Sequence, residues 1–437
     1  MILPSACRPR RSGATRLAAA ALGTLLLVAC ASPGGPTAVA TPAATAASAT
    51  AYLERARAQV STRDQVSVRA TALRAAESQA HFGLPLADRG VQPVWLEIEN
   101  HSPQPYWLMR SFMDASYYAP REVARLFKSQ VPADALRAAQ TRLIDDAIKL
   151  HVAPGHTVSG FVYTTKDRGL KLMNVELLGV GRVLRFDLAE DQPDGSFDYE
   201  ASRIRRATEH QSARTVTVRE LGAEIERMPC CTTDADGKGL GDPLNIVFVG
   251  AERDVLVALV RAGWDFTETI NAASVGRMVS AFAFGGGDRT SPVSPLYVGG
   301  RPQELAMQHA RTDIAQRSHL RLWLSPLQVE GQPVWIGQIS RDIGVKVTTL
   351  SKTLTTHVID PQVDHARFRL LETLLHSGNV ERWGYVDGVE AASREHPRTN
   401  LTEDPYFTDG KRLVVFISKT PRAMDKAGFI SWTRSEP

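Results

Sequence analysis

The sequence predicts an α+β protein, with an N-terminal, mostly antiparallel β-sandwich that carries a helical insertion, followed by a mixed α/β domain. In the first half, short segments alternate apolar and polar residues, as half-buried strands do, and a helical pattern interrupts them between Pro120 and Leu150. From Leu244 onward, an apolar run is followed directly by a helical stripe. Separate all-β and strand–turn–helix regions indicate the α+β class.

The strands of the N-terminal part are predicted from period-two alternation. Segments 65–70 and 94–99 alternate in this way, and a Pro-rich turn at 100–105 separates the second from 106–109. We therefore expect 94–99 and 106–109 to form a β-hairpin. Helical stripes follow, and further strands are predicted at 157–164, 172–178 and 183–188.

The C-terminal part begins with the buried strand 244–250 and a helix ending at Gly263. A second helix is predicted to start at Pro361 and to stop at Gly378, which is a common C-terminal residue of helices. Its buried stripe consists of Val363, Leu370, Leu371 and Leu374. Further strands are predicted at 295–298, 320–323, 334–337, 382–386 and 413–417.

The amino terminus has the pattern of a lipoprotein signal peptide. Residues 1–29 contain four arginines, no acidic residue and an apolar run that ends in Leu27-Val28-Ala29-Cys30. This ending resembles the lipobox of bacterial lipoproteins, in which the cysteine thiol accepts the lipid. We expect Cys30 to be acylated and the chain to be anchored outside the cytoplasm, in the outer membrane if the cell has one. The alternative is an ordinary secretory signal with an incidental cysteine.

Charge then argues against a nucleic-acid partner. The signal peptide contains four of the 51 basic residues and none of the 47 acidic residues, so the mature chain has 47 of each. A chain without net charge lacks the long-range basic field of a nucleic-acid-binding protein. The expected partners are the membrane, through the N-terminal lipid, and an envelope protein or a lipid.

The composition predicts five segments after the signal peptide. These are a flexible tether rich in Ala, Ser, Thr and Pro (30–51), an N-terminal β-rich domain (52–188), a connector (189–241), a C-terminal domain (242–425) and a tail (426–437).

Within the connector, Cys230 and Cys231 are adjacent, and a bridge between neighbours closes a strained ring, so we expect free or mixed-state thiols. Asp234, Asp236 and Gly239 are spaced like part of an EF-hand loop. Lys238 stands at a ligand position, which argues against calcium.

The densest group of titratable residues lies at 356–364. His357, Asp360, Asp364 and His365 offer the imidazole and carboxylate groups that a divalent metal or an acid–base pair would need. The structural alternative is that Asp360 caps a helix whose first turn begins with Pro361, with Asp364 near the positive end of the helix dipole.

Two further places could bind a ligand. Gly299-Gly300-Arg301-Pro302 is predicted between a strand and a helix, where backbone N–H groups and the guanidinium could hold an anion, although a tight turn explains it equally well. On a strand, His319 and Arg321 would share one face, for which a solvated surface is the alternative.

Several separated motifs resemble the LssY-like C-terminal domain family over about residues 240–420. They are Asp242-Pro243-Leu244-Asn245-Ile246-Val247, Ser294-Pro295-Leu296-Tyr297 with Gly300-Arg301-Pro302-Gln303, His319-Leu320-Arg321-Leu322-Trp323 and the 356–364 stretch. The resemblance implies membrane-associated envelope work and no particular reaction. In the family a second histidine stands where this chain has Val358, and an acidic residue where it has Ala366. These departures weaken a metal-binding interpretation.

The sequence therefore predicts an envelope lipoprotein whose C-terminal domain is a non-enzymatic binding or assembly module for a lipid headgroup, a glycan or a protein partner. No complete catalytic or nucleotide-binding motif is present, and no cofactor is predicted. The rival hypothesis is an envelope hydrolase that uses His357, Asp360 and Asp364, and metal binding is left open. The expected ligand-binding residues are Arg301, His319, Arg321, Asp342 and His357. A site requires Arg301, His319, Asp342 and His357 to converge.

Overall fold

A computed structural model describes residues 57–192, 213–267, 293–310, 317–347 and 355–432. All of these described residues belong to one compact unit. This unit is mostly β, with several sheets and a smaller share of helix, in agreement with the predicted α+β class. The predicted signal peptide, Cys30 and the tether lie outside the described residues.

Twenty-four strands and six α-helices lie in the described ranges. The strands are β1 Gln59–Arg63, β2 Val66–Ala72, β3 Val91–Asn100, β4 Tyr106–Leu108, β5 His151–Val152, β6 Thr157–Thr165, β7 Leu170–Gly179, β8 Arg182–Asp191, β9 Arg214–Val216, β10 Cys231–Thr233, β11 Leu240–Pro243, β12 Ile246–Val249, β13 Asp265–Phe266, β14 Tyr297–Val298, β15 Arg301–Pro302, β16 Leu305–Ala310, β17 Arg317–Val329, β18 Gln332–Val347, β19 Thr355–Ile359, β20 Val380–Asp387, β21 Arg398–Thr399, β22 Pro405–Tyr406, β23 Lys411–Ile417 and β24 Gly428–Ser431. The helices are α1 Ala75–Phe82, α2 Pro120–Arg125, α3 Ala133–Asp145, α4 Val218–Glu226, α5 Glu252–Arg261 and α6 Asp364–Ser377.

The N-terminal strands form two antiparallel four-stranded sheets, in the orders β1-β2-β3-β6 and β5-β4-β7-β8. Alternate residues of both sheets, such as Val68 on β2 and Val175 on β7, are buried in one apolar cluster. Helices α2 and α3 carry the predicted insertion and bury Val123 and Leu143 in a second cluster.

The expected hairpin between 94–99 and 106–109 is wrong. Strand β3 belongs to the first sheet and β4 to the second, so residues 100–105 carry the chain from one sheet to the other. The side chain of Asn100 holds this crossing, because its amide donates to the carbonyls of Gln104 and Val152 and its oxygen accepts from the Ser102 N–H. Strand alternation does not distinguish a hairpin from such a crossing.

The C-terminal part is built on a ten-stranded mixed sheet. Its main path is β13-β16-β17-β18-β12-β23-β20-β24, while β19 pairs with β18 and β9 pairs with β17. The pairs β12–β23, β20–β24 and β9–β17 are parallel, and the others are antiparallel. The strands predicted at 320–323, 334–337, 382–386 and 413–417 all lie in this sheet.

One face of this sheet is apolar from β16 to β20 and packs against α5 and α6. Leu320 and Leu322 of β17 and Phe248 of β12 lie in this core. Helix α6 contributes Leu370, Leu371 and Leu374, and it ends at Gly378, whose φ is 76°. The predicted stripe and stop of this helix are therefore confirmed. Val363, the fourth residue of the stripe, is also buried.

The opposite face of the sheet is divided into two halves. At one end it is apolar, with Trp323, Ile336 and Val247 packed against α4. At the other end the same face carries arginine, histidine, glutamine and aspartate side chains, which are nevertheless buried. This polar half is where four of the five predicted ligand-binding residues meet, namely His319, Arg321, Asp342 and His357.

Buried ion pairs join the N-terminal sheets to the C-terminal part. Arg261 of α5 lies 2.8 Å from Glu176 of β7 and 2.5 Å from Asp187 of β8. Arg185 of β8 bonds the same Glu176 at 2.8 Å.

Cys230 and Cys231 form a disulfide between neighbours, which differs from the expected free or mixed-state thiols. The pair lies where β10 begins, and Cys231 is buried. Within the described ranges, no helix combines the length and the apolar character needed to span a membrane.

Candidate functional site

Eight side chains on four strands form a cluster at the polar half of the sheet. We call it the polar cluster, and it consists of Gln308 (β16), Arg317, His319 and Arg321 (β17), Gln338, Ser340 and Asp342 (β18) and His357 (β19). Strand register aligns them, because His319 lies opposite Gln308 and Ser340 and Arg321 opposite Gln338. Directly opposite residues of antiparallel strands point to the same face. The alternative of a solvated face for His319 and Arg321 is wrong, because both are buried.

Asp342 lies between the two histidines. Its Oδ2 is 2.6 Å from His319 Nε2, which is a short hydrogen bond. His357 Nδ1 lies 3.2 Å from the same oxygen, without the alignment of a hydrogen bond. The centroids of the two imidazole rings are 5.9 Å apart. His319, Asp342 and His357, which the sequence placed on separate segments, therefore meet in space.

Arg317 determines the protonation pattern of His357. Its Nη2 lies 3.3 Å from His357 Nε2, and its Nη1 donates to Gln308 Oε1 at 2.7 Å. A guanidinium can only donate, so Nε2 of His357 is the acceptor of this contact. In the neutral imidazole the proton is then on Nδ1, which faces Asp342.

Burial shifts the pKa of His319, Asp342 and His357 in the direction that favours the neutral form of each group. Burial raises the pKa of Asp342 to about 6, although His357 and the two arginines favour its ionised form. Burial lowers the pKa of His357 to about 4, against the opposing effect of Asp342. The pKa of His319 is lowered well below 6.5 by burial and by Arg317 and Arg321. Both imidazoles are therefore neutral at pH 7.

A second branch of hydrogen bonds leads from the polar cluster to β11. Arg321 Nη1 donates to Gln338 Oε1 at 2.9 Å, and Gln338 Nε2 donates to Asp242 Oδ2 at 3.1 Å. Asn400 donates to the other oxygen of Asp242 at 2.9 Å. Burial raises the pKa of Asp242. The branch fixes Arg321 in place and connects the cluster to the loop before β22.

The buried polar atoms of the cluster that lack a hydrogen-bond partner among the described residues include Nδ1 of His319 and Nε2 of Gln308. Leaving such an atom unsatisfied costs about 1–3 kcal/mol, so native proteins usually satisfy it. Because Nε2 of His319 faces the carboxylate, Nδ1 is an acceptor, whereas the Gln308 amide is a donor. A ligand or a water with polar groups would satisfy both.

Arg301 does not join the polar cluster, so the four expected residues do not all converge. Its Nη1 lies 3.1 Å from Glu304 Oε1, and its Nη2 donates to the Leu324 carbonyl at 2.9 Å. Strands β14 and β15 pair around Gly299 and Gly300, both with positive φ, so this segment is a two-residue hairpin turn. The helix expected after it is wrong.

Asp360 also lies outside the cluster. Its Oδ1 accepts from the Gln362 N–H at 3.0 Å, and its Oδ2 lies 3.3 Å from His365 Nδ1. Helix α6 begins at Asp364 and not at Pro361, so the expected role of Asp360 as the helix cap is wrong. Its carboxylate closes a turn before the helix.

Asp364 has a structural environment as well. Its two oxygens accept from Thr408 Oγ1 and from the Asp409 N–H, both at 2.8 Å. Among the residues that the structure describes, no three His, Cys, Asp or Glu side chains are arranged to hold a metal ion. In the connector, Asp234 accepts from the backbone N–H groups of Lys238 and Gly239, so its carboxylate closes its own loop.

Sequence reasoning missed Arg317, Gln338 and Asp242 as site residues. The signal for Arg317 was available, because it continues the alternation of His319 and Arg321 on one strand. Gln338 and Asp242 are recognisable only once the pairing of β18 and the position of β11 are known. The resulting site combines two guanidiniums, two neutral imidazoles and a carboxylate, groups that can bind an anion or relay a proton.

The sequence of residues 223–411 matches the family model described as LssY C-terminus, which confirms the resemblance stated above. The matched range contains every residue of the polar cluster. No curated protein matches the chain.

Proposed function

Because residues 223–411 form an LssY C-terminal domain, we propose that this chain is a cell-envelope lipoprotein in which this domain is a non-enzymatic binding module. The polar cluster is the observation that carries the proposal. Its side chains are held in fixed positions by the sheet, as a preorganised binding site requires. The polar cluster reaches the surface at His357, because 31% of this side chain is exposed while Arg317 and Asp342 are nearly inaccessible.

The ligand of this module is an anionic group of the envelope, such as the phosphate of a lipid headgroup. Guanidinium groups bind phosphate and carboxylate oxygens through paired N–H donors. Arg317 and the orphaned amide of Gln308 supply donors on one side of Asp342, and the rim residue His357 adds one when it is protonated. An imidazole that receives an anion as a neighbour also gains a proton more readily, so binding would strengthen with decreasing pH.

Binding of two soluble probes tests this function. Inorganic phosphate and a short-chain phosphatidate are titrated calorimetrically into the chain, and His357→Gln is expected to weaken the binding that is observed by at least tenfold. His376→Gln, an exposed histidine on α6, is the matched control and should bind normally. Binding of phosphatidate alone would identify the ligand as a lipid headgroup. Binding of both probes would identify it as a free anion. The absence of both, or equal affinities in both variants, would refute the proposal.

The lipid anchor is tested separately. Replacing Cys30 by alanine should abolish incorporation of a labelled fatty acid, because the thiol is the acceptor of the acyl group. Persistent labelling of the Cys30→Ala chain would refute the assignment of this protein to the lipoproteins.

A hydrolase is the second candidate, and the short His319–Asp342 bond favours it, because a carboxylate that orients an imidazole is a feature of general bases. Two observations argue for binding instead of hydrolysis. Nε2 of His357 faces Arg317, and the outer nitrogen of His319 is buried. Hydrolysis of a phosphomonoester that is lost in Asp342→Asn would establish the hydrolase.

The two N-terminal sheets form, in this proposal, a β-sandwich that carries the binding module. The apolar cluster shared by β2, β3 and β6 with β4, β7 and β8 supports this arrangement.

A further inference from the structure

The outer face of the second N-terminal sheet has an exposed apolar end. Trp107 of β4 lies opposite Leu178 of β7 and His151 of β5, and Leu178 lies opposite Val183 of β8. Neighbours of these residues along their strands are buried in the sandwich core, so the row points to the other face. The row crosses four strands, which is about 14 Å at the usual strand spacing.

The turn between β7 and β8 extends this row. Val180 is at its tip, with 71% of its surface exposed, and Gly181 provides the positive φ of the turn. Leu150 lies beside the row, since its carbonyl accepts from the Leu108 N–H. Of the thirteen large apolar residues that are exposed within the described ranges, five lie here: Trp107, Leu150, Leu178, Val180 and Val183. Single exposed apolar residues are normal, whereas a continuous group marks an interaction surface.

The remainder of the same sheet face is already covered. On this face, the next pair after Leu178 and Val183 is Glu176 and Arg185. This pair faces the C-terminal part, where Glu176 contacts Arg261. The face therefore changes from a buried, charged half to an uncovered, apolar half within one residue pair. We name the uncovered half, with Trp107, Leu150, Leu178, Val180 and Val183, the apolar end.

We propose that the apolar end rests on the lipid bilayer, with Val180 and Trp107 entering its interfacial layer; this rests on the lipid anchor of the proposed function. A chain of 22 residues with the composition of 30–51 spans roughly 25 Å on average, so an acylated chain keeps its folded part close to the membrane. At such an effective concentration a small apolar surface suffices for contact. Tryptophan favours the membrane interface, where its ring is apolar and its N–H remains hydrated.

Vesicle binding without the anchor tests the surface independently of acylation. The mature chain with Cys30→Ala is mixed with vesicles of phosphatidylethanolamine and phosphatidylglycerol, and its partition coefficient is measured by sedimentation. Val180→Asp should lower this coefficient about tenfold, because a charge cannot enter the apolar layer. Val60→Asp is the matched control, since Val60 is 57% exposed on β1 of the other sheet, and it should bind as the parent does.

Fluorescence places the contact. Brominated acyl chains should quench the tryptophan emission of the parent, and Trp107→Phe should lose most of this quenching while still binding. An unchanged melting temperature of Val180→Asp shows that the exposed turn substitution leaves the fold intact.

Three results would overturn the proposal: no vesicle binding by the parent, equal binding by Val180→Asp, or a dimer in solution that Val180→Asp dissociates, which would assign the surface to a second copy. If the parent binds vesicles but Cys30 is not labelled by the fatty acid, the proposed lipid anchor is refuted, while membrane contact through the apolar end is supported.

Discussion

His319 and Asp342 lie on neighbouring strands with Nε2 and Oδ2 2.6 Å apart, on the sheet face that elsewhere holds Trp323 and Ile336. An apolar pair at this position would extend the core without the desolvation of a carboxylate. The chain instead places one carboxylate, two imidazoles and two guanidiniums next to one another on this face. A buried polar network of this size opposes stability unless each group is satisfied, which favours a functional explanation for it.

The stability of the protein should depend on His357 in a pH-dependent way. The pKa of His357 is about 4 when folded and about 6.5 when unfolded, so the unfolded chain binds an additional proton between these values. The contribution of the neutral imidazole is complete above pH 6.5 and is lost as the pH falls towards 4. The free energy of unfolding of the native chain, relative to His357→Gln, should fall by up to about 3 kcal/mol over this range.

Urea unfolding of both chains at intervals from pH 7 to pH 4 measures this difference. The raised pKa of Asp342 has the opposite sign, since its neutral form stabilises the fold below its unfolded pKa and is lost as the pH rises towards 6. Both chains contain Asp342, so only the part of its effect that depends on His357 remains in the difference. A pH-independent difference would contradict the burial of His357 as the cause.

The sequence predicted the elements of the fold better than their connections. Alternation located β2, β3, β7 and β8, because alternate residues of each of these strands lie in the apolar cluster between the two sheets. It could not show that β3 and β4 belong to different sheets, since the hydrogen bonds of Asn100 that hold the crossing are long-range.

The site was predicted in part, for a similar reason. His319, Asp342 and His357 were identified from their residue types, and the pairing of β17, β18 and β19 brings them together. Arg301 was expected with them because of its glycine-rich turn, but the turn belongs to a separate small sheet. Asp360 and Asp364 are close to His357 in sequence, whereas the turn and helix that follow β19 direct them to other partners.

Arg412 should be essential for stability. Its side chain is fully buried and donates only to backbone carbonyls, those of Ile225, Met228, Pro229 and Gly388. Burial lowers its pKa to about 10. Arg412→Met should reduce the free energy of unfolding by at least about 3 kcal/mol, because it leaves these carbonyls without donors.

Arg398→Met is the matched control for Arg412→Met. Arg398 pairs with the exposed Glu390, and such surface pairs contribute about 0–1 kcal/mol. Equal losses in the two variants, measured by denaturant unfolding, would show that the carbonyl contacts of Arg412 contribute little.

The disulfide between Cys230 and Cys231 should contribute little to stability. A bridge stabilises a protein mainly by restricting the unfolded chain, and a bridge between neighbours encloses almost no chain. The double Cys→Ser variant should therefore melt within about 5 °C of the native chain, the shift that about 1 kcal/mol produces in a modest domain. A larger decrease would mean that the ring itself holds the start of β10 in place.

Asp360 distinguishes a turn-forming carboxylate from a functional one. Its Oδ1 accepts from the Gln362 N–H, and an asparagine oxygen can accept the same bond. Asp360→Asn should therefore change stability by less than about 0.5 kcal/mol, whereas Asp360→Ala, which removes the acceptor, should cost about 0.5–1.5 kcal/mol. Thermal and urea unfolding of the two variants measure the difference.

The same pair of variants tests the rival hydrolase, in which Asp360 would act through its charge. Asp360→Asn retains the turn and loses the charge, so its phosphate binding should equal that of the native chain if only the polar cluster forms the site. His357→Gln, which lies inside the cluster, should lose binding in the same titration. Loss of binding or of phosphomonoester hydrolysis in a stable Asp360→Asn protein would bring Asp360 into the site. It would also make His365, whose Nδ1 lies 3.3 Å from this carboxylate, the next residue to substitute.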